Sequence, residues 1–327
     1  MTKLNILSKL TSADKSGLSA YKAKQRLIAF ITSLARYVFL IAFSYILLYP
    51  ILYMISHAVR DPLFYLDPTV VWIPKAYSFI QFKNAWEVLQ MPGTFINSLT
   101  VSVGGALITI VSCGVAAYGL ACFDFRGKGI LNALLIMLIL VPGSMTLIPN
   151  YVNYYNFDIL GIFKLIEAIF GIEINSNILD TYWAIYLPAI TAVGLKSGLC
   201  IYIYRQFYRA LPKELFEAAW IDGAGPIKTY VSIVVPSSSV AVLTVSLLSV
   251  IWNWNDYYTP QMFLPNKPTM TMLINDYFYR NVEAWDTTVT VDSFLAACLM
   301  FIAPTLIMYL ILQKKFIASI AATGIVG

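Results

Sequence analysis

The feature that most constrains this chain is a series of long apolar blocks separated by short polar loops. A helix that crosses a bilayer needs about 20 consecutive, mostly apolar residues, because its backbone groups must be satisfied within the segment. Six stretches meet that length: residues 37–55, 94–120, 130–147, 182–204, 233–252 and 293–312. A chain of 327 residues could otherwise form two soluble domains, but 59% of it is hydrophobic and only 12% charged. Soluble domains carry about 25% charged residues. The expected fold class is therefore an all-α integral membrane protein with six transmembrane helices. Disorder, collagen and small disulfide scaffolds are excluded, and a soluble enzyme is strongly disfavoured. Cys113, Cys122, Cys200 and Cys298 lie in or beside apolar blocks without paired spacing, which argues for packing roles over a disulfide framework or a zinc site.

Charge placement orients the blocks, since cytoplasmic loops are enriched in Lys and Arg. Residues 1–36 carry Lys3, Lys9, Lys15, Lys22, Lys24, Arg26 and Arg36 against a single acid, Asp14. Loops 121–129 and 205–232 are also net positive, and the tail adds Lys314 and Lys315. Residues 148–181 and 253–292 are net negative, and residues 56–93 are neutral. Both termini are thus expected in the cytoplasm, and the overall charge of +5 reflects topology with no need for nucleic acid. The block at 37–55 is longer than a signal-peptide core and reads as a span. Leu27, Ile28, Ile31 and Leu34 fall at helical spacing before it, so residues 1–36 are expected to form a cytoplasmic tail with a helix along the membrane surface.

Several chemistries lack their residues. There is no G-x-x-x-x-G-K-[ST] phosphate loop. His57 is the single histidine, which removes His-based triads and multi-His metal sites. No Asp or Glu lies in the middle of a block, where a proton-coupled carrier would need one.

The most informative stretch is residues 211–236, LPKELFEAAWIDGAGPIKTYVSIVVP. Pro212 suits the first position of a helix, and Glu214 and Glu217 complement its positive end. Ala218 and Ala219 keep one face low, Gly223 and Gly225 end the helix, and Pro226 can open the next. The expected product is a compact projection between the fourth and fifth spans.

Glu217-Ala218-Ala219, then Gly223, Ile233 and Val235-Pro236 at their spacings, resembles the EAA loop of ABC importer permeases. Asp222-Gly223-Ala224 fits that pattern, and Val235 stands where Leu is usual. Trp254-Asn255-Asp256 after the fifth helix, Asn97-Ser98-Leu99 opening the second and Ala116-Ala117-Tyr118 before a basic turn are similar to carbohydrate permeases of the maltose type. The likeness runs from residue 37 onward. Residues 158–180 depart from it as an insertion, and the tail 320–327 lacks the basic residue often found before the final Gly.

The resemblance implies an ABC importer type I-like permease fold in a bacterial cytoplasmic membrane. Residues 37–312 would be the permease domain, with the coupling loop at 205–236 and a cytoplasmic tail at 313–327. Glu214, Glu217, Ala218, Ala219, Asp222, Gly223 and Ala224 would dock on a separate ATPase, which alone uses ATP and Mg; this chain would bind no cofactor and no metal. The implied partners are a second, different permease, two ATPase subunits, an extracellular substrate-binding protein and a carbohydrate, such as an oligosaccharide. The same scaffold carrying another solute, a channel or carrier working alone, and a membrane enzyme are the rival readings.

Seven residues are candidates for the substrate path: Asn97, Tyr151, Tyr154, Lys196, Asn253, Asn255 and Asp256. An unpaired charge at mid-span costs about 2.5–3.5 kcal/mol on insertion scales, so Lys196 either lines a cavity or gate, or faces a partner helix or snorkels. Gly194 and Gly198 beside it suggest a broken helix. Trp252 and Trp254 fit either a sugar face or an interfacial aromatic belt. Pro142 and Pro304 are expected to kink the third and sixth spans.

Overall fold

A computed structural model describes residues 2–65, 72–158, 161–171, 176–284 and 291–324. Among these the regular structure is helical, apart from one isolated bridge between Arg60 and Tyr77. Residues 159–160 and 172–175 of the expected insertion, and 325–327 of the expected tail, lie outside the described residues.

Helix α1 (Thr2–Ala58) runs unbroken past residue 36. The expected turn from a surface helix into the first span is absent, because residues 18–49 contain neither Gly nor Pro to break the helix. Helix α2 (Ile80–Val88) precedes α3 (Gly93–Cys122), which contains a π-helical turn at Thr100–Gly104. The third block is not straight: α4 (Lys128–Leu140) and α5 (Gly143–Tyr155) meet at 101°. Pro142 forces Val141 into an extended conformation (φ −71°, ψ 120°), so the expected kink becomes a corner. Helix α6 (Ile162–Phe170) lies between two left-handed glycines, Gly161 and Gly171.

The fourth block is also not the continuous helix expected over 182–204. It forms α7 (Trp183–Ile190) and α8 (Ser197–Arg209), separated by residues 191–196. Ala192 (φ 58°) and Lys196 (φ 55°) both adopt the left-handed conformation that side chains disfavour. Helices α9 (Lys213–Ile221) and α10 (Pro226–Ser237) follow. The latter meets α11 (Ser239–Asn255) at 82°, so the straight part of the fifth block starts six residues later than 233. Helices α12 (Tyr258–Phe263), α13 (Met270–Ala284) and α14 (Val291–Gly324) complete the chain. Pro304 lies inside α14 without ending it, and that helix continues through residue 312. Among the described residues, three unbroken segments are long and apolar enough to cross a membrane: Lys24–Ala58, Gly93–Cys122 and Val291–Lys314. The two bent pairs each pass as a broken span.

The largest buried cluster joins α3 to α8, α10 and α11. Small residues of α3, Cys113 and Ala117, receive the rings of Tyr204 and Tyr208, with Val234, Ala241 and Val245 behind them. Such small-residue faces are how helices approach closely inside a bilayer. A second cluster packs Ala58, Ala85 and Leu89 against Trp254, Met270, Ala296 and Ala297. The other faces of α1 and α4 expose Leu, Ile and Phe, as lipid-facing helices do.

Contacts sort the loops into two ends. At one, Tyr118 Oη donates to Pro226 O (3.3 Å), placing the end of α3 beside α10. At the other, Asn97 Nδ2 donates to Pro268 O (3.0 Å), Asn266 N–H to Asp180 Oδ1 (3.1 Å), and Arg60 pairs with Asp292. The grouping agrees with that expected from charge, with 121–129 and 205–232 together and 56–93, 148–181 and 253–292 together.

Candidate functional site

A cavity of about 590 Å³ opens between α3, the α4–α5 corner, the 191–196 break and the α11–α12 junction. Four of the seven residues expected on the substrate path line it: Tyr154, Lys196, Asn253 and Asp256. Tyr154 packs its ring on Phe263 at 5.0 Å. Asn253 uses its Nδ2 to donate to Ser249 O (2.8 Å) and turns its Oδ1 toward Gly105, where a Cβ would come within 3.0 Å. Asp256 accepts the Thr259 N–H at 3.3 Å, tying its carboxylate to the start of α12.

The other three stand elsewhere. Asn97 accepts from Tyr182 Oη (2.9 Å) and donates to Pro268 O, so it braces loops. Asn255 is exposed and donates back to Ile251 O of its own helix (2.9 Å). Tyr151 is exposed and does not line the cavity. Sequence reasoning missed Ser144, Thr146, Asn150, Ser197 and Thr259, which also line the cavity. The first three lie on α5, beyond the 101° corner, where the sequence pattern predicts a kinked but continuous span. Their spacing over 144–150 is the signal that could have found them.

At the opposite end, Pro212 caps α9 with extended geometry, so the first helical residue is Lys213, one later than expected. Gly223 adopts φ 72°, and Ala224 N–H reaches back to Ala219 O (2.9 Å), closing the helix. Of the expected docking residues, Ala219 is buried and Ala224 half-buried; Glu214, Glu217, Ala218, Asp222 and Gly223 face solvent. The same surface leaves Trp220, Ile221 and Ile227 exposed, Ile221 at 86%. Exposed large apolar side chains rimmed by charge are a usual mark of a protein interface. Beside them is a groove of about 460 Å³ lined by Asp124, Lys128, Arg209, Lys213, Glu217 and Trp220, among others. Lys128 donates to Asp124 (2.9 Å) and to Phe123 O (2.7 Å), and its ammonium holds the Asp124 carboxyl below its ordinary range. Glu217 has no salt bridge among the described residues.

Residues 114–320 match the family described as binding-protein-dependent transport system inner membrane component. The chain belongs to this family. This inner membrane component is 29% identical over 265 residues to the melibiose/raffinose/stachyose import permease MelC of Bacillus subtilis, covering 80% of this chain and 86% of that one. It is 31% identical over 250 residues to the alpha-glucoside permease AglG of Rhizobium meliloti, covering 75% of this chain and 60% of that one. It is 27% identical over 288 residues to the trehalose/maltose permease MalG of Thermococcus litoralis, covering 88% and 94%. Its fold is similar to that of a chain in a bacterial ABC transporter involved in the import of the acidic polysaccharide alginate. That likeness has a TM-score of 0.68 and 20% identity, over 88% of this chain and 96% of the other. The chain is accordingly a multi-pass protein of the plasma membrane and a permease component of an ABC transporter.

Proposed function

We propose that this chain is the permease subunit of an ATP-driven carbohydrate importer, with an oligosaccharide as cargo. In this reading it forms one wall of the translocation path, and a second, different permease forms the other. An extracellular binding protein delivers the sugar, and two ATPase subunits, which hold ATP and Mg, dock on the end bearing α9. The relatives' names, which specify melibiose, raffinose and stachyose, an alpha-glucoside, and trehalose or maltose, support a sugar.

The observation that carries the reading is that one helix joins the two candidate regions. Lys196 and Ser197 at the start of α8 line the cavity, and Tyr208 and Arg209 at its end line the groove with Glu217. At 1.5 Å per residue, a 13-residue helix reaches about 20 Å. A displacement of α9 by the ATPase would therefore pull on the cavity wall through a rigid connector. ATP can shift the transporter between two states because it binds one better than the other. Tyr154, Asn253 and Asp256 offer a ring face and polar groups of the kind that suit a sugar's C–H faces and hydroxyl edges.

The test is uptake of labelled oligosaccharides into proteoliposomes holding the complete complex. Uptake should require ATP inside the ATPase-accessible compartment and the binding protein outside. Uptake that proceeds without ATP would instead identify a channel or a carrier.

A further inference from the structure

We propose that α6 is a membrane-surface helix, with its apolar face in the head-group region of the bilayer at the end of the molecule that carries the acidic loops. It lies within residues 158–180, the stretch that departs from the permease likeness, and neither the cavity nor the α9 surface uses it.

The sequence of α6, IFKLIEAIF, gives the helix two unlike sides. Ile162, Leu165, Ile166, Ile169 and Phe170 follow the i, i+3, i+4, i+7, i+8 spacing of a single helical face. Lys164 and Glu167 fall on the other side, and their charges cancel. Phe163 and Ile166 are half-buried against the molecule, whereas Ile162, Leu165, Ile169 and Phe170 are exposed, Ile169 at 63%. Four large apolar side chains exposed together on nine residues form a patch, and such a patch marks contact with another apolar surface.

The helix is fastened to the end of a span. The Asp158 carboxylate accepts the Phe163 N–H at 2.8 Å and the Lys164 N–H at 3.3 Å, which caps the first turn. The rings of Phe157 and Phe163 meet edge-on at 6.3 Å. Phe157 N–H donates to Ser176 O (3.1 Å) and Ile178 N–H to Tyr154 O (3.0 Å), so the stretch leaves and rejoins the molecule at the end of α5. Nine residues make a helix about 13 Å long, too short to cross a bilayer and long enough to lie on one.

What covers the patch follows from what adjoins it. Helix α5 completes the broken span begun by α4. It exposes Met145, Ile148, Val152 and Tyr155 on one face, opposite Leu147, Asn150 and Tyr154, which line the cavity. The exposed apolar face of the span thus leads directly to the apolar face of α6. Exposed Tyr155 precedes α6 and exposed Trp183 follows it, and such aromatics sit at head-group level. Basic residues are not needed for a short amphipathic helix that is already tethered at this depth. A soluble partner that docks and leaves would return the four side chains to water in each cycle, and the cancelled charges of Lys164 and Glu167 would not steer it. The bilayer is always present. With α5 forming part of the cavity wall, α6 ties that wall to the membrane surface.

The experiment uses the complete importer, free of its native cysteines, in phosphatidylcholine nanodiscs. A single fluorescent label is placed through Leu165→Cys, Ile169→Cys or Glu167→Cys. Quenching by phosphatidylcholine spin-labelled high on its acyl chain should be severalfold stronger at positions 165 and 169 than at 167. Quenching by aqueous iodide should run in the opposite order, and neither should change when sugar-loaded binding protein is added. Ile162→Glu with Ile169→Glu should abolish lipid quenching of a label at 165, and Ile162→Leu with Ile169→Leu should keep it. Co-purification of the ATPase reports assembly, and the three single-label proteins decide the matter even where the double glutamate variant does not assemble. Equal lipid quenching at all three positions would overturn the proposal. Protection of 165 and 169 from iodide without lipid quenching would assign the face to another subunit and reject it. Protection that arises only with the binding protein would assign the face to that protein and reject it as well.

Discussion

Arg60 grips the carboxylate of Asp292 with two nitrogens, Nε donating to Oδ2 at 3.0 Å and Nη2 to both oxygens at 2.9 and 2.8 Å. His57 Nδ1 lies 2.9 Å from the same carboxylate, and Asp292 is 1% exposed. This cluster ties the end of the first long helix to the start of the last, across more than 230 residues of sequence.

Asp292→Asn should therefore destabilise the subunit far more than a surface change would. Removing one partner of a buried pair costs about 3–5 kcal/mol, because the other charge is left stranded. Replacing Arg60 by Met together with Asp292 by Leu should be milder, since no buried guanidinium is left unpaired and the remaining loss is the hydrogen bond of His57. Thermal unfolding of the purified complex checks the order: the single variant should melt well below the double.

Gly114 lies where α3 meets α10, the segment that follows α9. A Cβ there would come within 2.5 Å of Tyr230 Oη. Gly114→Ala should displace that ring and lower stability by about 1–3 kcal/mol, the usual range for overpacking. Tyr230→Phe removes the clashing oxygen, so the double variant should recover most of the loss in a melting assay.

Asn97 was legible as a polar residue at a helix start but not as a brace, because its partners Tyr182 and Pro268 are 85 and 171 residues away. Asn97→Ala should thus lower the melting point, costing about 1–3 kcal/mol for the stranded groups. The affinity of the assembled complex for its sugar should be unchanged. Asn253→Ala should do the reverse, weakening sugar binding with little change in melting.

How far the sequence could be read follows the range of each interaction. The apolar blocks and the 213–221 helix depend on local pattern, and both were legible. The break before α8 was hinted at by Lys196 between two glycines. The left-handed Ala192 was not, since nothing about alanine marks it. The 101° corner had Pro142 as its sign, but proline specifies a disruption and not an angle. The 82° bend at Ser238 had no sign beyond Pro236. Four cavity residues were found because two charged groups, an amide and a tyrosine ring stand out among apolar neighbours. Ser144, Thr146 and Asn150 were missed because their facing walls are assembled only by tertiary packing.

Membrane sidedness can be tested by single-cysteine labelling in a cysteine-free background. An impermeant maleimide applied to whole cells should modify a cysteine at Lys267, at the end with the acidic loops. It should spare one at Lys128, in the groove beside α9, until the membrane is opened. Labelling of the Lys128 position in intact cells would reverse the assigned orientation.

The central claim is that the solvent-facing Glu217 couples an external ATPase to the cavity through α8. An exposed carboxylate near a helix start contributes only about 0.3–1 kcal/mol through the helix dipole, so Glu217→Lys should leave the fold intact. The decisive measurement is ATP hydrolysis by the purified Glu217→Lys complex, with and without sugar-loaded binding protein. The membrane subunits should assemble while stimulation by the loaded binding protein is abolished or the ATPase dissociates. A Glu217→Lys complex that keeps its ATPase and its full stimulated turnover would contradict it.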